Sequence, residues 1–251
     1  MTSAARLPIR VMYRMATARH MTELGMAEID RRLAYLRTQC AADTMIDISV
    51  PKEGPGSIES RTDAALSVPE LLRGVEEAEG AGYDGVVLSC FGDPGLDAAR
   101  ELVRIPVVAS GQSSMHVAAQ LGARFSILSP RDGAGSRVLD GPRRYGFHLH
   151  YASTRGTGLS VMDLNRDRGR TVARLAEVGR ACIEQDGADT LVLGCLSMAF
   201  HDVAREVSAE LGVPVVNPVS ASIAFIELLV RAGISHSRLA YPPPPQREFL
   251  R

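Results

Sequence analysis

The chain has 251 residues, of which 45% are hydrophobic and 23% charged, and its formal net charge is −1. Such a composition can build one or two ordinary hydrophobic cores and gives no sign of disorder or of a fibrous repeat, so a soluble globular protein is expected. No long Lys/Arg block is present, which argues against nucleic acid or an anionic membrane surface and leaves a small neutral or anionic molecule as the expected partner.

Short runs rich in Val, Ile and Leu alternate with segments of helical period, the pattern of βαβ units around parallel sheets. A first strand is expected near 8–13, then a helix over 23–41 and a strand over 45–50. Pro51 to Pro69, with Gly54-Pro55-Gly56, reads as a long loop. Next come a helix over 68–80, a strand over 85–90, a helix over 94–103, a strand over 106–109, a helix over 112–121 and a strand over 125–129. Ser129 to Tyr145 is polar and contains glycine, so it reads as a second long loop, and loops of such length often act as lids. A strand over 147–152, a helix over 165–185, a strand over 190–195, a helix over 199–211, a strand over 213–216 and a helix over 219–232 complete the series. The run from Tyr241 through four prolines to Gln246 cannot continue a helix and is expected to be extended, either as a surface strap or as an arm onto a partner subunit.

No segment approaches the roughly 18 to 20 apolar residues that span a bilayer. The N-terminus carries arginines but no signal-peptide apolar core, so a cytoplasmic location is expected. The four cysteines are then expected as reduced thiols.

Two stretches nearly repeat each other. Gly82-Tyr-Asp-Gly-Val-Val-Leu-Ser-Cys90 and Gly187-Ala-Asp-Thr-Leu-Val-Leu-Gly-Cys195 are both apolar runs ending in cysteine. Each is followed by an Arg-Glu pair (Arg100-Glu101 and Arg205-Glu206) and then by a Pro-Val-Val segment (Pro106 to Val108 and Pro214 to Val216). The repeat implies an α/β fold of two pseudo-symmetric, doubly wound (flavodoxin-like) lobes with parallel sheets. The expected lobes are 1–107 plus 217–251, and 108–216, with the active site in the cleft between them.

In parallel α/β sheets ligands sit beyond the carboxyl ends of the strands, where Cys90 and Cys195 are expected. A helix following each cysteine would present early N–H groups, which lower a thiol pKa from about 8.5 and can hold an anionic oxygen. Phe91-Gly92 and Leu196-Ser197 are the residues whose amides would stabilise an enolate. Facing thiols suit proton transfer at a carbon beside a carbonyl: one thiolate removes a proton and the other thiol returns one to the opposite face. That scheme needs no cofactor and no metal. The alternative reading of any free cysteine is a small buried hydrophobe, which is adopted for Cys40 and Cys182 within helical segments; a duplicated strand can also keep a packing cysteine by ancestry.

Other candidates carry less. His148 and His150 would share one strand face but lack a third ligand at a metal-binding spacing. His116 and His201 are either proton-network partners or hydrogen-bonded helix residues. Arg155 would either reach a substrate anion or stay at the surface. Neither a Gly-x-Gly-x-x-Gly nor a Walker pattern occurs, so a nucleotide cofactor is unsupported.

The segment Ser89-Cys-Phe-Gly-Asp-Pro-Gly-Leu96, and the segment from Asp186 through Gly194-Cys-Leu-Ser-Met-Ala199, resemble the two cysteine motifs of the Asp/Glu/hydantoin racemase superfamily, and within it the hydantoin and allantoin racemase branch. Similarity extends to Gly56-Ser-Ile-Glu-Ser60, Arg124-Phe-Ser-Ile127 and Val213-Pro-Val-Val216. The resemblance implies a pseudo-symmetric two-lobed fold, cofactor-independent chemistry at a cysteine pair and a homo-oligomer. It also marks the departures. Tyr13-Arg14-Met15-Ala16 stands where the branch carries the ligand-contacting Asn-Pro-Asn-Thr, Gln112 where it tends to have Glu, and Asn217 where it tends to have Asp. These positions are expected to contact substrate, and a phenol and a guanidinium in place of amides favour a carboxylate-bearing or aromatic substrate. The second motif lacks the Cys-Thr-His of glutamate racemases.

The expected function is therefore a cofactor-independent racemase or epimerase, with a 5-substituted hydantoin or related cyclic ureide as substrate. Two alternatives remain: an isomerase, decarboxylase or cyclase using the same cleft, and a two-lobed ligand-binding protein without turnover. Decarboxylases resembling this family keep one cysteine where this chain has two.

Overall fold

The computed structural model describes residues 8–130, 140–159 and 167–245. They form two compact units, one of residues 8–109 with 223–245 and the other of the described residues between 110 and 222. Each unit contains a four-stranded, wholly parallel sheet flanked by helices.

In the first unit β1 (Ile9–Arg14), β2 (Thr44–Ser49), β3 (Gly85–Leu88) and β4 (Val107–Ala109) are ordered β2-β1-β3-β4. In the second, β5 (Phe125–Ser129), β6 (Tyr151–Gly156), β7 (Thr190–Leu193) and β8 (Val215–Val216) are ordered β6-β5-β7-β8. The order by sequence within each unit is thus the same, 2-1-3-4, and the internal repeat is a repeat of topology. Every residue of β3 and of β7 is buried. Strands covered by helices on both faces read as continuous apolar runs, and this is why the two cysteine-bearing segments were visible as such.

Around the first sheet lie α1 (Gly25–Gln39), α2 (Arg61–Gly80) and α3 (Leu96–Leu102). The second unit holds α4 (Ser110–Leu121), α5 (Asp140–Arg144), α6 (Arg168–Asp186), α7 (Leu196–Ala199) and α8 (Ala204–Leu211). The last helix, α9 (Pro218–Ala232), begins in the second unit and ends in the first. Ile226 and Val230 of α9 close over Gly85 on one face of the first sheet. The core of the second unit joins Leu128, Leu191 and Leu193 to Leu175 and Val178 of α6 and Val207 of α8.

Three sequence expectations need correction. The loop assigned to Pro51 to Pro69 ends early, because α2 starts at Arg61 and carries Pro69 inside it. Its start is fixed by Ser60, whose Oγ accepts from the Asp63 N–H (3.0 Å), while the Asp63 carboxylate accepts from the Glu59 N–H (3.0 Å). The cap contributes about 1 kcal/mol, less than the ~3 kcal/mol an interior proline costs, so burial of Leu71, Val75 and Ala78 carries the helix through Pro69. The strand assigned to 147–152 begins only at Tyr151, so His148 and His150 lie in the preceding turn. The helix assigned to 199–211 is two pieces, α7 and α8, separated by a turn in which Asp202 has φ 53°.

Of the second long loop expected over Ser129 to Tyr145, residues 131–139 lie outside the described residues, and Asp140–Arg144 form the short helix α5 instead of loop. Residues 242–245 of the proline run carry no helix, and the segment before them is strapped to the first unit. Arg238 donates to the carbonyls of Arg100, Glu101 and Val103 at the end of α3 (2.9 Å each), and His236 Nε2 accepts from the Val107 N–H (2.8 Å). Among the described residues no helix is long and apolar enough to cross a membrane.

Candidate active site

β3 ends at Leu88, and the Ser89 N–H continues its pairing to β1 by donating to the Arg14 carbonyl (2.9 Å). Cys90 follows, half-buried, with φ 110°. A non-glycine residue there is strained by on the order of 1–3 kcal/mol, and such strain concentrates at functional sites. The chain then turns. The Asp93 N–H donates to the Cys90 carbonyl (3.2 Å), Asp93 has φ 49° and Gly95 φ 71°, and α3 starts only at Leu96. Phe91 and Gly92 therefore lie in a turn, and the helix expected over 94–103 starts two residues later, after Pro94-Gly95.

The second copy keeps the first half of this arrangement. β7 ends at Leu193, and the Gly194 N–H donates to the Leu128 carbonyl (2.8 Å), as Ser89 does to Arg14. Cys195 is half-buried like Cys90, but its backbone is extended (φ −149°, ψ 132°) and it is the N-cap of α7. Leu196 and Ser197, both buried, are the first two residues of that helix. Both cysteines thus stand two residues beyond their strands rather than at the last strand position.

The pair Tyr13-Arg14 splits between the faces of β1, as strand alternation requires. Tyr13 is fully buried. It is paired in register with Val87 and has the parity of Val11, whose partner Gly85 lies under α9. Arg14, 3% exposed, turns to the α2 face, where its guanidinium donates to the Glu70 carbonyl and to Ser49 Oγ (3.4 Å) and stands 3.8 Å from the Glu70 carboxylate. Burial pulls the Arg14 pKa below its usual value, with Glu70 and Glu77 opposing the shift. Glu70 also accepts from the Lys52 N–H (2.7 Å), so one buried carboxylate ties the end of β1 to the segment after β2. Glu70, 56 residues from Arg14 in sequence, gave no local signal of this role.

Gln112 lies half-buried in the first turn of α4, and its carbonyl contacts His116 Nδ1 at 2.9 Å. Asn217, 9% exposed, is the residue before Pro218 of α9. Its Oδ1 accepts from the Val219 N–H (2.9 Å) and its Nδ2 donates to the Ala199 carbonyl (3.0 Å).

The remaining candidates have other occupations. Cys182 is fully buried in the core of the second unit, and burial pushes its thiol pKa up. Cys40 donates to the Leu36 carbonyl (3.3 Å), and burial, helped by Glu227, pushes its thiol up to about 12. Both are thereby poor thiolates; Cys182 lies buried within α6 as expected, whereas Cys40 is half-buried and follows the end of α1 rather than lying inside it. Arg155 is paired with Asp186 (2.6 Å), and that bond raises the Arg155 pKa. His116 is exposed, and the His201 carbonyl is taken by Arg168. Among the described residues no group of three His, Cys, Asp or Glu side chains is placed to hold a metal ion.

Comparison with known proteins bears on what this arrangement is. The family model described as Asp/Glu/Hydantoin racemase matches residues 26–226. A hydantoin racemase of Pseudomonas sp. (strain NS671) is 36% identical over 215 residues, 85% of this chain and 86% of that protein. One from Paenarthrobacter aurescens is 35% identical over 212 residues, 84% of this chain and 89% of that protein. The solved structure of allantoin racemase from Klebsiella pneumoniae superposes with a TM-score of 0.86 at 29% identity, covering 96% of both chains. The chain belongs to the Asp/Glu/hydantoin racemase family of isomerases.

Proposed function

We propose that the protein is a cofactor-independent racemase acting at a ring carbon next to a carbonyl, on a 5-substituted hydantoin or related cyclic ureide. Cys90 and Cys195 are its acid/base pair. The observation that carries this reading is the equivalence of the two thiols: each lies two residues past the third strand of a 2-1-3-4 sheet. That end of each strand is where ligands bind in parallel α/β sheets.

In the proposed reaction the thiolate of one cysteine removes the proton from the asymmetric carbon. The electron pair moves into the adjacent carbonyl as an enolate. The thiol of the other cysteine then gives its proton to the opposite face, and roles reverse for the other enantiomer. The amides of Phe91 and Gly92, and of Leu196 and Ser197, are proposed to receive the developing oxyanion. Substrate choice is assigned to Tyr13, Gln112 and the end of β1 that Arg14 fixes through Glu70.

The test is proton NMR in D2O on single enantiomers of several 5-substituted hydantoins and of allantoin, followed in parallel by polarimetry. Loss of the proton on the asymmetric carbon together with decay of optical rotation to zero is expected for at least one of them. No exchange with any cyclic ureide, in folded protein with reactive thiols, overturns the substrate class.

A further inference from the structure

We propose that Asn217 and Arg168 are positioning residues for Cys195, a role that rests on the reading of Cys195 as a proton-transfer group. Helix α7 has four residues, about one turn and too short to be stable by itself, and Cys195 at its N-cap supplies no side-chain cap. At its far end the Met198 and Ala199 carbonyls accept from the His201 and Asp202 N–H groups (3.1 Å each), so the turn that follows closes the helix. Two residues from different elements grip that turn from outside. Asn217 Nδ2 donates to the Ala199 carbonyl (3.0 Å), and Arg168 donates to the carbonyls of His201 and Asp202 (3.0 Å for the second) while pairing with Glu206.

Two further observations mark these contacts as more than incidental. Arg168 is the first residue of α6, where a cation opposes the helix dipole, so its placement is explained by what it grips and not by its own helix. Asp202 is held in the left-handed region (φ 53°), a conformation that persists only where neighbours enforce it. Asn217 is also the N-cap of α9, so a single side chain fixes the α7 turn to the start of the next helix. A short helix held at its far end by two clamps keeps its N-cap residue, and hence the sulfur, in one place.

The experiment separates clamping from helix capping. Asn217→Ser keeps a good N-cap for α9 but is too short to reach the Ala199 carbonyl; Arg168→Gln removes the second clamp at an exposed position. Iodoacetamide labelling of the full chain is followed cysteine by cysteine by mass spectrometry as a function of pH, with Cys90 as internal reference. Both variants are expected to shift the rate or pH profile at Cys195 by about tenfold or more, on the scale of effects seen when a supporting shell is removed, with Cys90 unchanged. Arg168→Lys should restore part of the change. Labelling of Cys195 identical to wild type in both variants overturns the proposal. Because labelling does not depend on turnover, failure of the proposed reaction would show separately, as undiminished racemisation in Cys195→Ser.

Discussion

Gly92 stands so close to the first thiol that a β-carbon on it would lie 3.9 Å from the Cys90 sulfur. That is ordinary van der Waals contact, so any side chain there would occupy space a substrate carbon must enter to meet the sulfur. Gly92 is exposed and its φ is outside the left-handed region, so replacement carries no backbone penalty. Gly92→Leu is therefore expected to leave the melting temperature near wild type and to lower kcat/KM on the order of 10²-fold, the scale of displacing a reacting atom by ~1 Å. Steady-state kinetics beside a thermal melt checks this; unchanged kcat/KM would mean substrate does not approach Cys90 past Gly92.

Gly74 plays the opposite part, on the buried side of β1. A β-carbon there would collide with Nε, Cζ and Cδ of Arg14, whose guanidinium is packed against the helix. In a helix interior Gly→Ala ordinarily adds about 1 kcal/mol. Here Gly74→Ala would force Arg14 from Glu70, and breaking a buried ion pair costs about 3–5 kcal/mol. A net loss of about 2–4 kcal/mol in urea denaturation is expected. Equal or higher stability would show that the Arg14–Glu70 contact is dispensable.

The fold was legible in the sequence where burial is two-sided. β3 and β7 announce themselves as apolar runs, and their repetition disclosed that the chain contains two copies of one sheet. What escaped was set by contacts distant in sequence or by a local cap that fixes where an element begins. The cap at Ser60 and Asp63 starts at Arg61 a helix that was expected only from residue 68. Asn217 and Arg14 were visible as unusual residues, but their partners, Ala199 and Glu70, are fixed by tertiary structure and leave no pattern along the chain. The strained backbone at Cys90 has no sequence signal beyond the Pro94-Gly95 that postpones the next helix.

His236 gives a pH dependence of stability. It is half-buried and accepts from the Val107 N–H, which requires the neutral ring at Nε2, and partial burial, reinforced by Arg100 and Arg238, lowers its pKa to about 4. The unfolded chain, with a His pKa of ~6.5, binds more protons than the native one between about pH 6.5 and 4. The stabilisation is thus complete above pH ~6.5 and is lost as pH falls toward 4. Allowing for solvent screening, its size is on the order of 1–2 kcal/mol. Denaturation series across that window are expected to show the slope in wild type and a flatter one in His236→Gln; equal slopes would remove the assignment.

The most direct test of the central claim is to follow racemisation by Cys90→Ser and Cys195→Ser separately, starting from each enantiomer of a hydantoin that the wild type turns over. If the two thiols are the acid and the base, each variant alone loses about 10²- to 10⁴-fold in rate while its circular dichroism stays that of the wild type. Near-normal racemisation by either folded variant would contradict the two-thiol mechanism.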